Sequence, residues 1–242
     1  MWWVYLLVLV ISVRRAHGES NATRQIFSPW EWRISNSRSD DITKCPYQVA
    51  IEDKNTYLGG GAIISFHYVV TSAECVKHAT LDNLYVRAAT NFSHFQGSIR
   101  KINKIIIHKN FNYTRYDTPI NNIALLRTSW TFTFDKLRQR ITWLPPLISK
   151  TRIKPGDIAV LSGFSQLNDS SEIFRFSSVE VPIVDKIVCN SIYSMSKAGG
   201  IGDDQMCAGY YGFYRTGRFC YGEAGSPLAV RGYLIGLLSW AL

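Results

Sequence analysis

The feature that most constrains this chain is the rhythm of its apolar runs. From Cys45 onward they are short and rich in Val and Ile, as in "YQVAI", "GGAIIS", "YVVTSA", "LYVRAA", "KIIIH" and "IALLRT". Gly, Asn, Asp and Pro stand between them and punctuate strands rather than helices. "WLPPLISK" reads as a connection, after which "DIAVLSGF", "RFSSVEVPIV" and "YLIGLLSW" continue the pattern. A single stretch, "DKIVCNSIYSMS", has the spacing of a short helix. There is no internal repeat, heptad run or low-complexity tract. Many short strands without long helices predict an all-β chain, built as an antiparallel sandwich or a pair of barrels.

The 242 residues suffice for one large all-β domain or two smaller lobes. With 46% apolar residues a sizeable core is available, and global disorder is excluded. The net charge of +9 creates a field that attracts glycans, anionic membranes or nucleic acid, or simply gives an exported protein a basic surface. "IRKINKIIIHK" sets Arg100, Lys101, Lys104 and Lys109 beside an apolar run. These cations read either as a polyanion-binding stripe or as lysines that protect a strand edge from aggregation.

The start, "MWWVYLLVLVISV", is too short to span a bilayer comfortably. Small Ala16 and Gly18 follow it, so residues 1–18 are expected to be a signal peptide and 19–33 an exposed, pro-segment-like arm. Asn21, Asn91, Asn112 and Asn168 each open a glycan acceptor triplet. Together these features predict a secreted, extracellular protein with no membrane span after signal removal and no nucleic acid partner. Five cysteines in an oxidising compartment leave at least one that stays a thiol or pairs between chains.

"CYGEAGSPL", Cys220 to Leu228, is a glycine-rich turn of the kind that lets backbone come close to another group. This stretch, with "PYQVAI", "GGGAIISFHYVVTSAEC", "IIIHKNFNY", "NNIALLR", "AVLSGF" and "MCAGYY", resembles the trypsin/chymotrypsin-like serine protease family over residues 34–242. The resemblance implies two antiparallel Greek-key β-barrels. A first lobe over 34–140 is expected, and a second over 141–242 that is truncated, lacking the family's C-terminal strand and helix. "YLIGLLSWAL" would then be an exposed apolar edge.

The family works through a serine that attacks a carbonyl, a histidine that takes its proton and an aspartate that orients the histidine. The matching positions hold Ala224, Glu74 and Asn122. A methyl group cannot attack a carbonyl. A carboxylate with a reference pKa of ~4.3 is a weak base at neutral pH. Asn122 is neutral and cannot stabilise an imidazolium. A hydrogen bond from the Asn122 amide to the Glu74 carboxylate is expected to fill the gap. Ser226 lies two residues from the nucleophile position, several ångströms off productive geometry.

The resemblance also implies what can persist. Gly222 and Ala224 would present oxyanion-hole-like backbone N–H groups. Arg218 stands at the specificity-pocket position, where it would oppose a basic substrate side chain. Arg33–Ile34 resembles the activation cleavage point, with Glu223 as the acid that would receive the new amino terminus. Ser35 and Asn36 replace the glycines that usually follow. Cys189 and Cys207 match one family disulfide bond. The usual partner position of Cys75 holds Leu58, and a Cys45–Cys75 bridge stays open. No cofactor and no metal is expected.

The function implied is a secreted trypsin-like homologue without proteolytic activity. It would act by binding an extracellular protein (a protease, inhibitor or substrate) as competitor, scaffold or regulator. The alternatives are an endopeptidase with an unorthodox site, a truncated or decaying gene product, and a polyanion-binding module.

Overall fold

Strands account for nearly all of the regular structure, as the short apolar runs require. The computed structural model describes residues 7–11, 38–39, 41–54, 56–140, 142–143, 153–166, 173–195, 198–209 and 223–241. In chain order these form β1 (Leu7–Ile11), β2 (Arg38–Ser39), β3 (Gln48–Asp53), β4 (Thr56–Ile63), β5 (Tyr68–Thr71) and α1 (Ala73–Val76). Next come β6 (Leu84–Ala88), β7 (Ser98–Ile107), β8 (Asn112–Tyr113), β9 (Pro119–Ile120) and β10 (Ala124–Thr128). The remainder comprises β11 (Thr142–Trp143), β12 (Ile158–Gln166), β13 (Phe174–Val184), α2 (Lys186–Ser194), β14 (Gln205–Ala208), β15 (Pro227–Val230) and β16 (Tyr233–Ala241).

Strands β10-β5-β4-β3-β6-β7 close into a barrel. Its inward positions alternate along β3, β6 and β10, as a barrel demands, while a bulge on β7 between Ile102 and Lys104 puts Lys101 and Lys104 on the same outer face. Val49, Ile51, Ile63, Val69, Leu84, Val86, Ile102 and Leu126 fill its core. Closure corrects one expectation. The basic strand β7 is hydrogen-bonded to β6 on one side and to β10 on the other. It has no free edge, so its lysines do not protect one.

In the second sheet β14-β13-β12-β15-β16 curl around Leu161, Val181, Ile183, Leu228 and Ile235. The apolar β16 was expected to be an exposed edge; here it is covered. β1 lies parallel to both β16 and β14 and bridges them, while β11 adds to β16. The unsatisfied backbone groups of the two facing edges give the physical reason, since a strand that bonds both removes two edges at once. β2 pairs with β13. The barrels meet where Ala62 and Val70 of the first pack against Leu234 and Leu237 of the second.

The predicted helix over "DKIVCNSIYSMS" is α2, started by Asp185, whose carboxylate accepts from the Ile187 and Val188 N–H groups. Cys189 on this helix is disulfide-bonded to Cys207 on β14, with a Cα separation of 6.3 Å, as the resemblance implied.

Candidate functional site

Glu74, Asn122 and Ala224, singled out in the sequence, come together where the two barrels meet. α1 is one turn at the end of β5, and its first turn presents the Glu74 N–H. That N–H donates to Asn122 Oδ1 at 2.9 Å. Asn122 immediately precedes the residues that enter β10 and is fully buried. Its Nδ2 donates to Ser239 Oγ on β16 at 2.8 Å, so one amide ties α1 to the second barrel.

This corrects the expected contact. The Asn122 amide meets the Glu74 backbone N–H through its oxygen and Ser239 through its nitrogen, not the Glu74 carboxylate. The Glu74 carboxylate turns outward instead, where Tyr113 O–H donates to Oε1 at 2.9 Å. Lys77 Nζ stands 3.9 Å from the same oxygen and donates to the Tyr113 hydroxyl. That hydrogen bond raises the Lys77 pKa, while desolvation raises that of Tyr113. Sequence reasoning missed both residues. Tyr113 ends the quoted stretch "IIIHKNFNY", but nothing in its spacing says that it faces Glu74.

The turn that carries Ala224 is stapled to the first barrel. Ser226 N–H donates to Glu223 O at 3.1 Å, and Gly225 sits at φ +81°. A Cβ at Gly225 would lie 2.3 Å from Thr71 Oγ1 and 2.4 Å from Gly60 O, so only glycine fits this tight approach. Ala224 O accepts from Gly60 N–H at 2.9 Å and from the Cys75 thiol at 3.1 Å. Glu74 and Ala224 are therefore joined through the adjacent Cys75.

Three neighbours could in principle supply a nucleophile, and each is placed against it. Ala224 offers only a methyl group. Ser226 is 1% exposed, and its Oγ faces the backbones of Gly60 and Gly163 in the seam between barrels. Burial pushes the Cys75 thiol up to about 11, so the nucleophilic thiolate is scarce near neutral pH. Cys75 is not bridged to Cys45: Cys75 packs against the core of the first barrel, whereas Cys45 lies in a separate cluster with Phe164 and Phe176.

Glu223 is 2% exposed and sits in a polar cluster, with Ser165 Oγ donating to its Oε1 at 2.9 Å and Ser177 Oγ 2.8 Å from Ser165 Oγ. Arg33, Ile34, Arg218, Gly222, Asn21 and Asn168 lie outside the described residues. Of the other glycan acceptors, Asn112 is exposed on β8 beside Tyr113. Asn91 is half-buried and accepts from Ile42 N–H at 2.7 Å. Among the described residues no group of His, Cys, Asp and Glu is arranged to hold a metal ion, and no helix is long and apolar enough to cross a membrane.

Comparison with known proteins gives this geometry a context. The trypsin family model matches residues 34–242. Trypsin Blo t 3 of Blomia tropicalis is 30% identical over 208 residues, which is 85% of this chain and 74% of that protein. Chymotrypsin-2 of Vespa crabro is 30% identical over 199 residues, covering 81% of this chain and 83% of that one. The crystal structure of the scabies mite inactivated protease paralogue S-D1 superposes with a TM-score of 0.69 at 25% identity, covering 84% of each chain. Neuropsin from mouse brain shares the fold, with a TM-score of 0.70 at 22% identity over 85% of this chain and 86% of that one.

Proposed function

This chain belongs to the trypsin family, and on that premise we propose that it is an exported homologue that cleaves no peptide and acts by binding an extracellular protein. The observation that carries the reading is that, among the described residues around Ala224, none presents a positioned nucleophile. Ala224 has no hydroxyl, Ser226 is sealed in the seam, and the Cys75 thiol is protonated and donating to Ala224 O. At the position of the family's base, the Glu74 carboxylate accepts from the Tyr113 hydroxyl instead of from a nucleophile. Acyl transfer needs a nucleophile and a base within hydrogen-bond reach of each other. The likeness to an inactivated protease paralogue agrees with this reading.

Binding needs less than catalysis. The turn that carries Ala224 is held by Gly60 and Cys75, so its backbone stays fixed without the reaction. An extended loop of a protease inhibitor or of a protein substrate is the partner that the family's site takes and that this site would bind uncut. The chain would then act as competitor, scaffold or regulator in extracellular proteolysis, exported by the leader over residues 1–18.

The test uses protein recovered from secretory-cell medium, exposed to a mixed peptide library and to a serine-directed phosphonate. No cleavage product and no adduct at Ser226 are expected. Hydrolysis that survives purification and disappears in Gly222→Pro would overturn the proposal. Ala224→Ser alone is expected to remain inactive, because restoring the hydroxyl restores no base. In the same preparation a reactive-loop protease inhibitor should bind and dissociate with its loop uncut.

A further inference from the structure

We propose that the outer wall of the first barrel is a binding face for a sulfated glycan, centred on Lys101, Lys104 and Arg127. The proposal is independent of whether the site around Ala224 has activity.

Strand β7 runs through the closed barrel with both edges bonded. Ile102 on this strand and Leu126 on β10 point into the core and are buried. Lys101, Lys104 and Arg127 point the other way and are exposed. Lys104 and Arg127 are direct cross-strand partners. Two cations held opposite one another repel, and such pairs are destabilising within a sheet. Lys101 lies three residues along β7, on the order of 10 Å away at the usual strand rise.

Among the described residues no carboxylate is ion-paired to this wall. Among the described residues none of the three cations takes part in an ion pair with an acid. Lys101 is partnered across the sheet by Tyr85, and Tyr85 by Glu52. Glu52 is already spent, since Arg87 Nε donates to it at 3.0 Å. The repulsion thus stands unrelieved, and edge protection does not account for it. An external polyanion does account for it, because it would convert the like-charge pair into an anion clamp.

The structure redraws the stripe suggested by sequence. Arg100 is opposite the core residue Val86 and donates to Thr131 O and Ile99 O, so it belongs to the barrel end. Lys109 lies beyond the end of β7. Arg127, eighteen residues further on, joins the wall through strand pairing alone. A linear glycan with sulfates along its length matches such a flat, point-charge strip with compact lysine ammonium groups.

The test measures binding of the full folded chain to size-defined heparin fragments across a salt series. Replacing Lys101, Lys104 and Arg127 by Glu should weaken binding by more than about tenfold and flatten its salt dependence. Reversing three exposed cations elsewhere, Lys136, Arg140 and Lys154, changes net charge equally and should have a much smaller effect. Lys104→Glu alone keeps the test falsifiable if the triple variant does not fold. It would pair with Arg127, raise the melting temperature and still weaken heparin binding. Equal losses in the two triple variants would overturn the proposal, as would absence of salt-sensitive binding. Tighter binding to duplex DNA or to anionic vesicles than to heparin would overturn the glycan assignment.

Discussion

Asn122 illustrates how a single side chain can hold a site together without doing its chemistry. Its oxygen receives the Glu74 N–H and its nitrogen serves Ser239, so both ends of a buried amide are satisfied. Asn122→Ala leaves a buried donor and a buried hydroxyl unpaired, which costs about 2–4 kcal/mol in total. Urea denaturation should record that loss as a lower midpoint. Cys75 gives a pH signature at the same scale. Its thiol stays protonated in the fold up to about 11, against 9.0 for an unburied thiol. Between those values the unfolded chain loses a proton that the folded chain keeps. The unfolded state then binds fewer protons, so stability falls as pH rises through this window. Wild type should therefore lose stability relative to Cys75→Ala between pH 9 and 11, with no difference in slope near neutrality. A flat difference across the window would mean that the thiol is not desolvated.

Elements show where the sequence was legible and where it was not. Each strand read from a short apolar run exists, because alternation and β-branched residues report the face a strand buries. Partners are another matter. Nothing in "IRKINKIIIHK" says that both sides of β7 are bonded, or that Arg127 lies across from Lys104. The Glu74 contact was misjudged for a similar reason, since Ser239 reaches Asn122 from 117 residues away. The strand β4 was legible, but not why it carries "GGG": a Cβ at Gly60 would lie 2.5 Å from Ser226 Oγ, so the second barrel requires bare backbone there. Another device was invisible in sequence. Glu52 on β3 is fully buried and receives Arg87 of β6 through Nε and Nη2, as well as the His94 N–H at 3.0 Å. Removing one partner strands a buried charge, so Glu52→Ala should cost about 3–5 kcal/mol. A melting curve should show that loss, and the segment around His94 should exchange its amide hydrogens faster.

At the scale of the whole molecule the two barrels close by different means. The first is complete within Gln48–Thr128, whereas the facing edges of β14 and β16 in the second are bridged by β1, more than two hundred residues earlier in the chain than β16. The same residues lie in the segment read from the sequence as a leader, and on that reading export would remove the strand that bridges β14 and β16. A chain that starts at Glu19 must expose the β14 and β16 edges or cover them with another strand. Comparing it with the full chain by hydrogen exchange separates these cases. Removal of residues 1–18 should accelerate exchange at Gln205–Ala208 and along Tyr233–Ala241, and leave Gln48–Thr128 unchanged. An unchanged second barrel would mean that β1 contributes nothing to closure. Faster exchange in both barrels would mean that the seam of Ala62, Val70, Leu234 and Leu237 couples them into one cooperative unit. The intact mass of protein recovered from secretory-cell medium then decides which form is present. A mass beginning at Glu19 leaves the β14 and β16 edges open to another strand. A mass retaining Leu7–Ile11 makes the apolar start of the chain a permanent strand of the fold.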